Sequence, residues 1–187
     1  MRRWPVTGRG ARRLATAAAA ALVALGTLAA CRGDGARPLA RIEVGRPAPA
    51  YAATTLAGDS ASLAALHGQP VLLNVWATWC HPCRTEIPEL QALHQRYAAR
   101  GLQVVGVSID VGGEDDAVRD FVQEFGMTYP VWRDPDGRVS NVFSTVGVPD
   151  TYLIDRDGVI RWMHLGPIRT GDTTLVRAIE DAIGDER

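Results

Sequence analysis

The sequence is poor in cysteine, has no lysine and carries no acidic residue before Asp34. Five arginines lie within the first 13 residues: Arg2, Arg3, Arg9, Arg12 and Arg13. Without those five, 15 basic residues face 21 acidic ones, which gives the rest of the chain a net charge of −6. Because this acidic body has no basic run, its composition argues against nucleic acid as a partner.

The three cysteines are Cys31, Cys80 and Cys83. Only two residues separate Cys80 from Cys83, and so short a loop hardly restricts the unfolded chain, which favours a chemical over a structural pair. A structural zinc site needs four ligands, and the sequence offers no second C-x-x-C and no H-x-x-x-H pair. We therefore expect no metal site and no cofactor beyond the two cysteines.

The first 30 residues have the architecture of an export signal, with an arginine-rich start and an apolar run from residue 14 to 30. The end of this run, Leu28-Ala29-Ala30-Cys31, resembles the lipobox of bacterial lipoproteins, in which the cysteine is lipidated. Lipidation of Cys31 would also account for the odd cysteine in an exported chain. We expect a signal peptide at residues 1–30 and a lipid anchor on the periplasmic side of the membrane. An uncleaved membrane-spanning anchor and soluble secretion are the alternatives.

Residues 31–49 are rich in Gly, Pro, Arg and Ala without periodicity, which predicts a flexible tether before a domain at residues 50–187. The domain is predicted to begin with a hairpin over residues 51–63. Strands are predicted next at 71–76, 102–109, 129–132, 150–154 and 159–165. Helices are predicted from Pro82 to a stop at Gly101 and at 115–125, 139–146 and 173–183. This order indicates an α/β protein whose mixed sheet is covered on both faces.

The segment Trp79-Cys80-His81-Pro82-Cys83 lies where a predicted buried strand is followed by a helix. Two cysteines with this spacing at a helix start have their sulfurs within disulfide distance. The unpaired backbone N–H groups of the first helical turn, together with the helix dipole, stabilise a thiolate on the first cysteine, Cys80. We expect Cys80 to attack a partner disulfide. Cys83, one turn further into the protein, is expected to resolve the mixed disulfide.

At this motif the chain resembles the TlpA/ResA-like branch of exported, membrane-anchored thiol:disulfide oxidoreductases in the thioredoxin superfamily. The resemblance spans about residues 44–183 and is carried by Glu86, Pro88 and residues 73–83, 104–110 and 148–158. It implies a thioredoxin fold, in which a mixed sheet is flanked by helices, with an N-terminal β-hairpin and a central insertion. It also implies a redox-active disulfide between Cys80 and Cys83.

The same resemblance implies which partners the chain has. These are exported protein disulfides, such as those of apocytochrome c during cytochrome c biogenesis, and a membrane thiol carrier that supplies electrons. A disulfide-forming oxidant is the alternative direction. A thiol peroxidase of the peroxiredoxin kind fits less well, because Thr78 stands two residues before Cys80 rather than three.

Substrate contacts are also implied by the resemblance. Pro149 falls where the superfamily keeps a cis-proline opposite the dithiol, which would leave the Val148 backbone free to pair with a substrate strand beside Cys80. The alternative is an ordinary trans proline. Trp79 is expected to pack beside the disulfide as part of the docking surface, whereas Trp76 and Trp132 are expected in the core.

Two further residues are expected to tune the thiols. Glu86 matches the acid that this branch places near its dithiol and would exchange protons with Cys83, the alternative being an exposed acid of the first helical turn. Asn74 stands where cytoplasmic thioredoxins carry a buried aspartate, which makes Glu86 the better candidate for proton transfer. In the loop, before Pro82, His81 would stabilise the thiolate or simply face solvent.

Overall fold

The structure, a computed structural model, describes residues 41–184. Seven strands form one sheet: β1 (Ala52–Thr55), β2 (Ser60–Ser62), β3 (Val71–Trp76), β4 (Gln103–Ser108), β5 (Val131–Arg133), β6 (Asp150–Ile154) and β7 (Ile160–Leu165). The helices of this part are α1 (His81–Tyr97), α2 (Asp115–Glu124), α3 (Arg138–Val142) and α4 (Thr173–Gly184). Short 3-10 turns occupy Leu63–Leu66 and Ala98–Arg100.

The strand order across the sheet is β2-β1-β5-β4-β3-β6-β7. Strands β3, β4 and β5 run parallel to one another, and the other pairings are antiparallel, so the predicted mixed sheet is confirmed. β1 and β2 form the predicted N-terminal hairpin at one edge. We take α2, β5 and α3, which lie between β4 and β6, as the central insertion.

The sheet buries apolar side chains on both faces. All six side chains of β3 are buried, as expected for a central strand between two layers, and successive residues point to opposite faces. Leu72 and Trp76 pack with α1, α2 and α4 on one face. Leu73 and Val75 pack on the other face with α3 and the turn at residues 63–66. This packing fixes β3 and α1, between which the dithiol lies.

The folded region begins before the predicted domain boundary at residue 50. The amide of Gly45 donates to the Ile160 carbonyl (2.7 Å), and the Ile160 amide donates to the Arg46 carbonyl (2.9 Å). Ile42 and Ala48 pack against the core. The last residues of the segment predicted as a tether are thus held against the start of β7. The predicted signal peptide, Cys31 and the rest of the tether lie outside the described residues.

The element bounds otherwise follow the predictions closely, with one shortened helix. β3 and β6 have the predicted bounds, and α1 leads through a 3-10 turn to Gly101, which adopts φ +96°. The helix predicted over residues 139–146 ends at Val142, and Ser144 has a left-handed φ of 56°. No helix within residues 41–184 is long and apolar enough to cross a membrane.

Candidate active site

The two cysteines of the motif form a disulfide at the start of α1. Their sulfurs are 2.06 Å apart and their Cα atoms 5.3 Å apart. Cys80 is the N-cap of the helix, and its Sγ accepts the backbone N–H of Cys83 (3.2 Å). Cys80 is 4% exposed and Cys83 is fully buried, so Cys80 is the outer sulfur. A backbone N–H at the start of the helix thus donates to the Cys80 sulfur, where it would stabilise a thiolate.

The backbone at Val148 lies directly against the outer cysteine. The Val148 carbonyl oxygen is 3.6 Å from Cys80 Sγ, and the Val148–Pro149 peptide bond is cis, as the resemblance predicts. Trp79 is 65% exposed beside them. The side chains of His81 and Pro82 are exposed too. The predicted loop residues Trp79, His81 and Pro82 are thus exposed next to the cysteines in the chain, and the Val148 backbone lies against Cys80.

Glu86 belongs to the same helix, α1, and its side chain is completely buried. Its Oε1 accepts a hydrogen bond from Asn74 Nδ2 (2.7 Å), and its Oε2 accepts one from the Ile168 backbone N–H (2.8 Å). Burial raises the pKa of Glu86 to about 7, although these two hydrogen bonds act in the opposite direction. The alternative of an exposed first-turn acid is therefore wrong.

Asn74 of β3 links that carboxyl group on α1 to β6. Its Nδ2 donates to Glu86 on α1 and also to Thr151 Oγ1 on β6 (2.9 Å). An amide donor at this position stabilises a carboxylate, whereas a second carboxylate would repel it. The buried acid that Asn74 contacts is thus Glu86, on the helix rather than on the strand.

Other predicted residues lie where the sequence indicated. Trp76 and Trp132 are buried in the two core layers. The hydroxyl of Thr78, two residues before Cys80, donates to Asp110 (2.6 Å). Among residues 41–184 no group of three or more His, Cys, Asp or Glu side chains is arranged to hold a metal ion.

Asp110 is a residue at this site to which the sequence assigned no role. It is fully buried, and its carboxylate accepts the backbone N–H and the hydroxyl of Thr78, two residues before Cys80. A signal was available in the sequence: Asp110 comes just after a buried strand parallel to β3, so both strands end at the same edge.

Comparison with known proteins agrees with this geometry. Residues 44–163 match the AhpC/TSA family. The chain belongs to the AhpC/TSA family. Among its relatives in sequence, thioredoxin-like protein YneN of Bacillus subtilis is 37% identical over 126 residues, which are 67% of this chain and 73% of YneN. Thiol-disulfide oxidoreductase ResA of Bacillus cereus is 32% identical over 120 residues, 64% of this chain and 68% of ResA.

Solved structures give the same result for this AhpC/TSA family member. A thiol:disulfide interchange protein of the thioredoxin family from Chlorobium tepidum superimposes with a TM-score of 0.63 and 29% identity, over 74% of this chain and 96% of that one. A DsbF homologue from Corynebacterium diphtheriae superimposes with a TM-score of 0.63 and 27% identity, over 73% of this chain and 86% of that one. The predicted thioredoxin fold is confirmed, and with the Cys80–Cys83 disulfide the chain is a thiol-disulfide oxidoreductase of the ResA type.

Proposed function

We propose that this oxidoreductase reduces disulfides of exported proteins, with Cys80 as nucleophile and Cys83 as resolving thiol. The observation that carries the proposal is the asymmetry of the pair: Cys80 is the outer N-cap residue, and Cys83 is enclosed. The Cys80 thiolate attacks one sulfur of the partner disulfide and releases the other as a thiolate. Cys83 then attacks Cys80, which frees the second partner thiol. The partner gains two electrons, and the Cys80–Cys83 disulfide is formed.

Glu86 is proposed to accept the proton of Cys83 during the second step. It lies three residues after Cys83 on α1, on the side of the helix that faces the core. A carboxyl group with a pKa of about 7 is populated in both protonation states at neutral pH, which suits a group that takes up and returns a proton. The buried position keeps this exchange out of bulk solvent.

The surface around Cys80 supports a polypeptide substrate with an apolar segment. Four segments at this end of the sheet contain no Asp, Glu, Lys or Arg: residues 77–82, 111–113, 144–149 and 165–168. Charged residues such as Asp110, Glu114 and Arg169 flank them. Four large apolar side chains of these segments are exposed: Trp79, Val111, Val146 and Leu165. Apolar, uncharged surface of this kind is typical of the centre of a protein interface. We name these four side chains the apolar rim.

Shortening one side chain of the apolar rim is expected to slow the reduction of protein disulfides but not of small disulfides. Val111→Ser removes part of the contact area and should lower the rate of insulin reduction about fivefold. Reduction of a small disulfide such as hydroxyethyl disulfide should not change. Val44→Ser is the matched control, because Val44 and Val111 are both 58% exposed and Val44 lies near the start of β7, at the opposite end of the sheet. Equal insulin rates for the two variants would refute the docking role.

The direction of electron flow is proposed to be reductive, with apocytochrome c as a candidate partner and a membrane thiol carrier as donor. A reductase should have a midpoint potential near that of thioredoxin, about −270 mV. A titration of the Cys80–Cys83 couple against glutathione, read by thiol alkylation, measures it. A potential near −120 mV, typical of strong oxidants, would instead indicate disulfide formation.

Location on the extracytoplasmic side of the membrane is proposed from the leader alone, with Cys31 as the lipidated residue. The arginine-rich start, the apolar run and the segment Leu28-Ala29-Ala30-Cys31 support this proposal. Mass spectrometry of the N-terminal peptide of the mature protein tests it: an acylated Cys31 is expected. Recovery of an unmodified, internal Cys31 would contradict the lipid anchor.

A further inference from the structure

A buried arginine of the central insertion lies close to the dithiol loop. Arg133, the last residue of β5, is only 4% exposed. Its Nη1 donates to Ser108 Oγ (2.6 Å), and its Nη2 donates to the Val111 carbonyl (3.4 Å). Its Nε donates to Asp115 at the start of α2 (2.8 Å). Arg133 is placed here because it is the register partner of Ser108 in the parallel β4–β5 pair.

The polar contacts continue from Ser108 to the residues that precede Cys80. Ser108 Oγ donates to Asp110 Oδ2 (2.7 Å). Asp110 Oδ1 accepts the backbone N–H of Thr78 (3.0 Å) and its hydroxyl (2.6 Å). Ser108 and Asp110 are both fully buried. A positive side chain, a neutral hydroxyl and a carboxylate thus form one connected buried network that ends two residues before Cys80.

We infer that Arg133, Ser108 and Asp110 are positioning residues, which hold the turn at Thr78 and thereby fix Cys80 as the N-cap of α1. The inference rests on the proposed function and extends it to the central insertion. Arg133 orients the Ser108 hydroxyl, and Ser108 orients the Asp110 carboxylate. This carboxylate holds the turn by accepting both the backbone N–H and the hydroxyl of Thr78. The hydrogen bonds of Cys80 Sγ go to Val148 and Cys83 and not to these three residues, so they act through the position of the loop.

The physical consequence is a loop geometry that favours the thiolate. Cys80 Sγ keeps its hydrogen bond from the Cys83 amide only while Cys80 stays in the N-cap conformation. The Cys80 amide is held in turn by the Ala77 carbonyl (3.1 Å), within the segment that Asp110 binds. A loosened turn would weaken the sulfur's contact with the helix N-terminus, which would raise the pKa of the free Cys80 thiol. Buried networks of this kind lose their rigidity when one member is removed.

Ser108→Ala is the sharpest test, because it breaks the network without changing any charge. In the reduced, full-length protein, alkylation of Cys80 by iodoacetamide at pH 7 should slow about tenfold, and its pH profile should move to higher pH. Asp110→Asn, which disturbs the same turn directly, should slow insulin reduction about tenfold too. Asp134→Asn matches Asp110→Asn in its change of charge and controls for the loss of a buried polar side chain: the Asp134 carboxylate is equally buried, but it binds Tyr51 and the start of α3 rather than the dithiol loop.

The outcomes separate this inference from the proposed function. Slower alkylation and a shifted pH profile for Ser108→Ala, with neither in the Asp134→Asn control, would support the network. An unchanged Ser108→Ala profile would refute it, even if Asp110→Asn failed to fold or lost activity. Equal changes in Ser108→Ala and Asp134→Asn would refute it also, because general destabilisation would then explain them. A wild-type protein without insulin-reductase activity would instead overturn the proposed function itself.

Discussion

A Cys80→Ser variant is expected to lose insulin-reductase activity by about a thousandfold or more, to the background set by dithiothreitol alone. The reason is chemical: a serine hydroxyl is not ionised near neutral pH and cannot form the mixed disulfide that starts the reaction. Precipitation of reduced insulin chains, followed by turbidity, measures the rate. The matched control is Cys31→Ser, which removes a cysteine without altering the pair. Equal rates for wild type and Cys80→Ser would contradict the assignment.

This loss should not come from unfolding. Cys80 and Cys83 enclose only two residues, so their disulfide contributes little to the conformational restriction of the unfolded chain. We therefore expect Cys80→Ser to keep a cooperative urea unfolding transition with the wild-type slope. The combination of an intact fold with absent turnover distinguishes loss of the nucleophile from loss of structure.

Glu86→Gln is expected to change how stability depends on pH. The pKa of Glu86 is raised to about 7 in the folded protein, against an ordinary value of 4.5. The folded state therefore binds the Glu86 proton more tightly than the unfolded state does. The protonated carboxyl contributes its full share to the free energy of unfolding below pH 4.5. This contribution is lost as pH rises through 7, by about 3 kcal/mol. Glutamine does not titrate, so this part of the pH dependence should disappear in the variant.

Urea unfolding at several values between pH 4.5 and pH 8 measures this difference. The free energy of unfolding of wild type minus that of Glu86→Gln should fall across the range, because only wild type pays the cost of ionising a buried acid. Glu89→Gln, on the same helix but only half-buried, is the matched control. A wild-type minus Glu86→Gln difference that stays constant with pH would show that Glu86 does not titrate as inferred.

The same variant should slow resolution of the mixed disulfide. Without a carboxylate to accept its proton, Cys83 attacks Cys80 more slowly, and a general base contributes about a hundredfold in such steps. Stopped-flow reduction of a preformed Cys80 mixed disulfide measures the step, and its pH profile should lose the inflection near 7. A rate and profile identical to wild type would assign Glu86 a structural role only.

Much of the site could be predicted because its residues are close in sequence. The apolar run from Val71 to Trp76 indicates a buried strand, and Pro82 with the following helical spacing indicates the start of α1. The position of the cysteine pair between them follows directly. The outer and inner roles of Cys80 and Cys83 also follow, since a helix N-cap is more accessible than a residue one turn later.

The parts that could not be predicted depend on contacts between distant residues. Residues 42–48 have the composition of a tether, yet backbone hydrogen bonds to the start of β7 order them, and composition carries no information on such bonds. The burial of Glu86 depends on Ile168 and Asn74, from elements far apart in the chain. Arg133 meets Ser108 only because β4 and β5 pair in one register.

Capture of a partner by a Cys83→Ala variant is the decisive experiment on the role of Cys80 as nucleophile. With the resolving thiol removed, the mixed disulfide at Cys80 should persist, and mass spectrometry of non-reduced peptides should locate the bond. We expect a partner cysteine joined to Cys80 in Cys83→Ala and no such adduct in Cys80→Ser. Adducts formed equally well without Cys80, or formed only through Cys31, would contradict it.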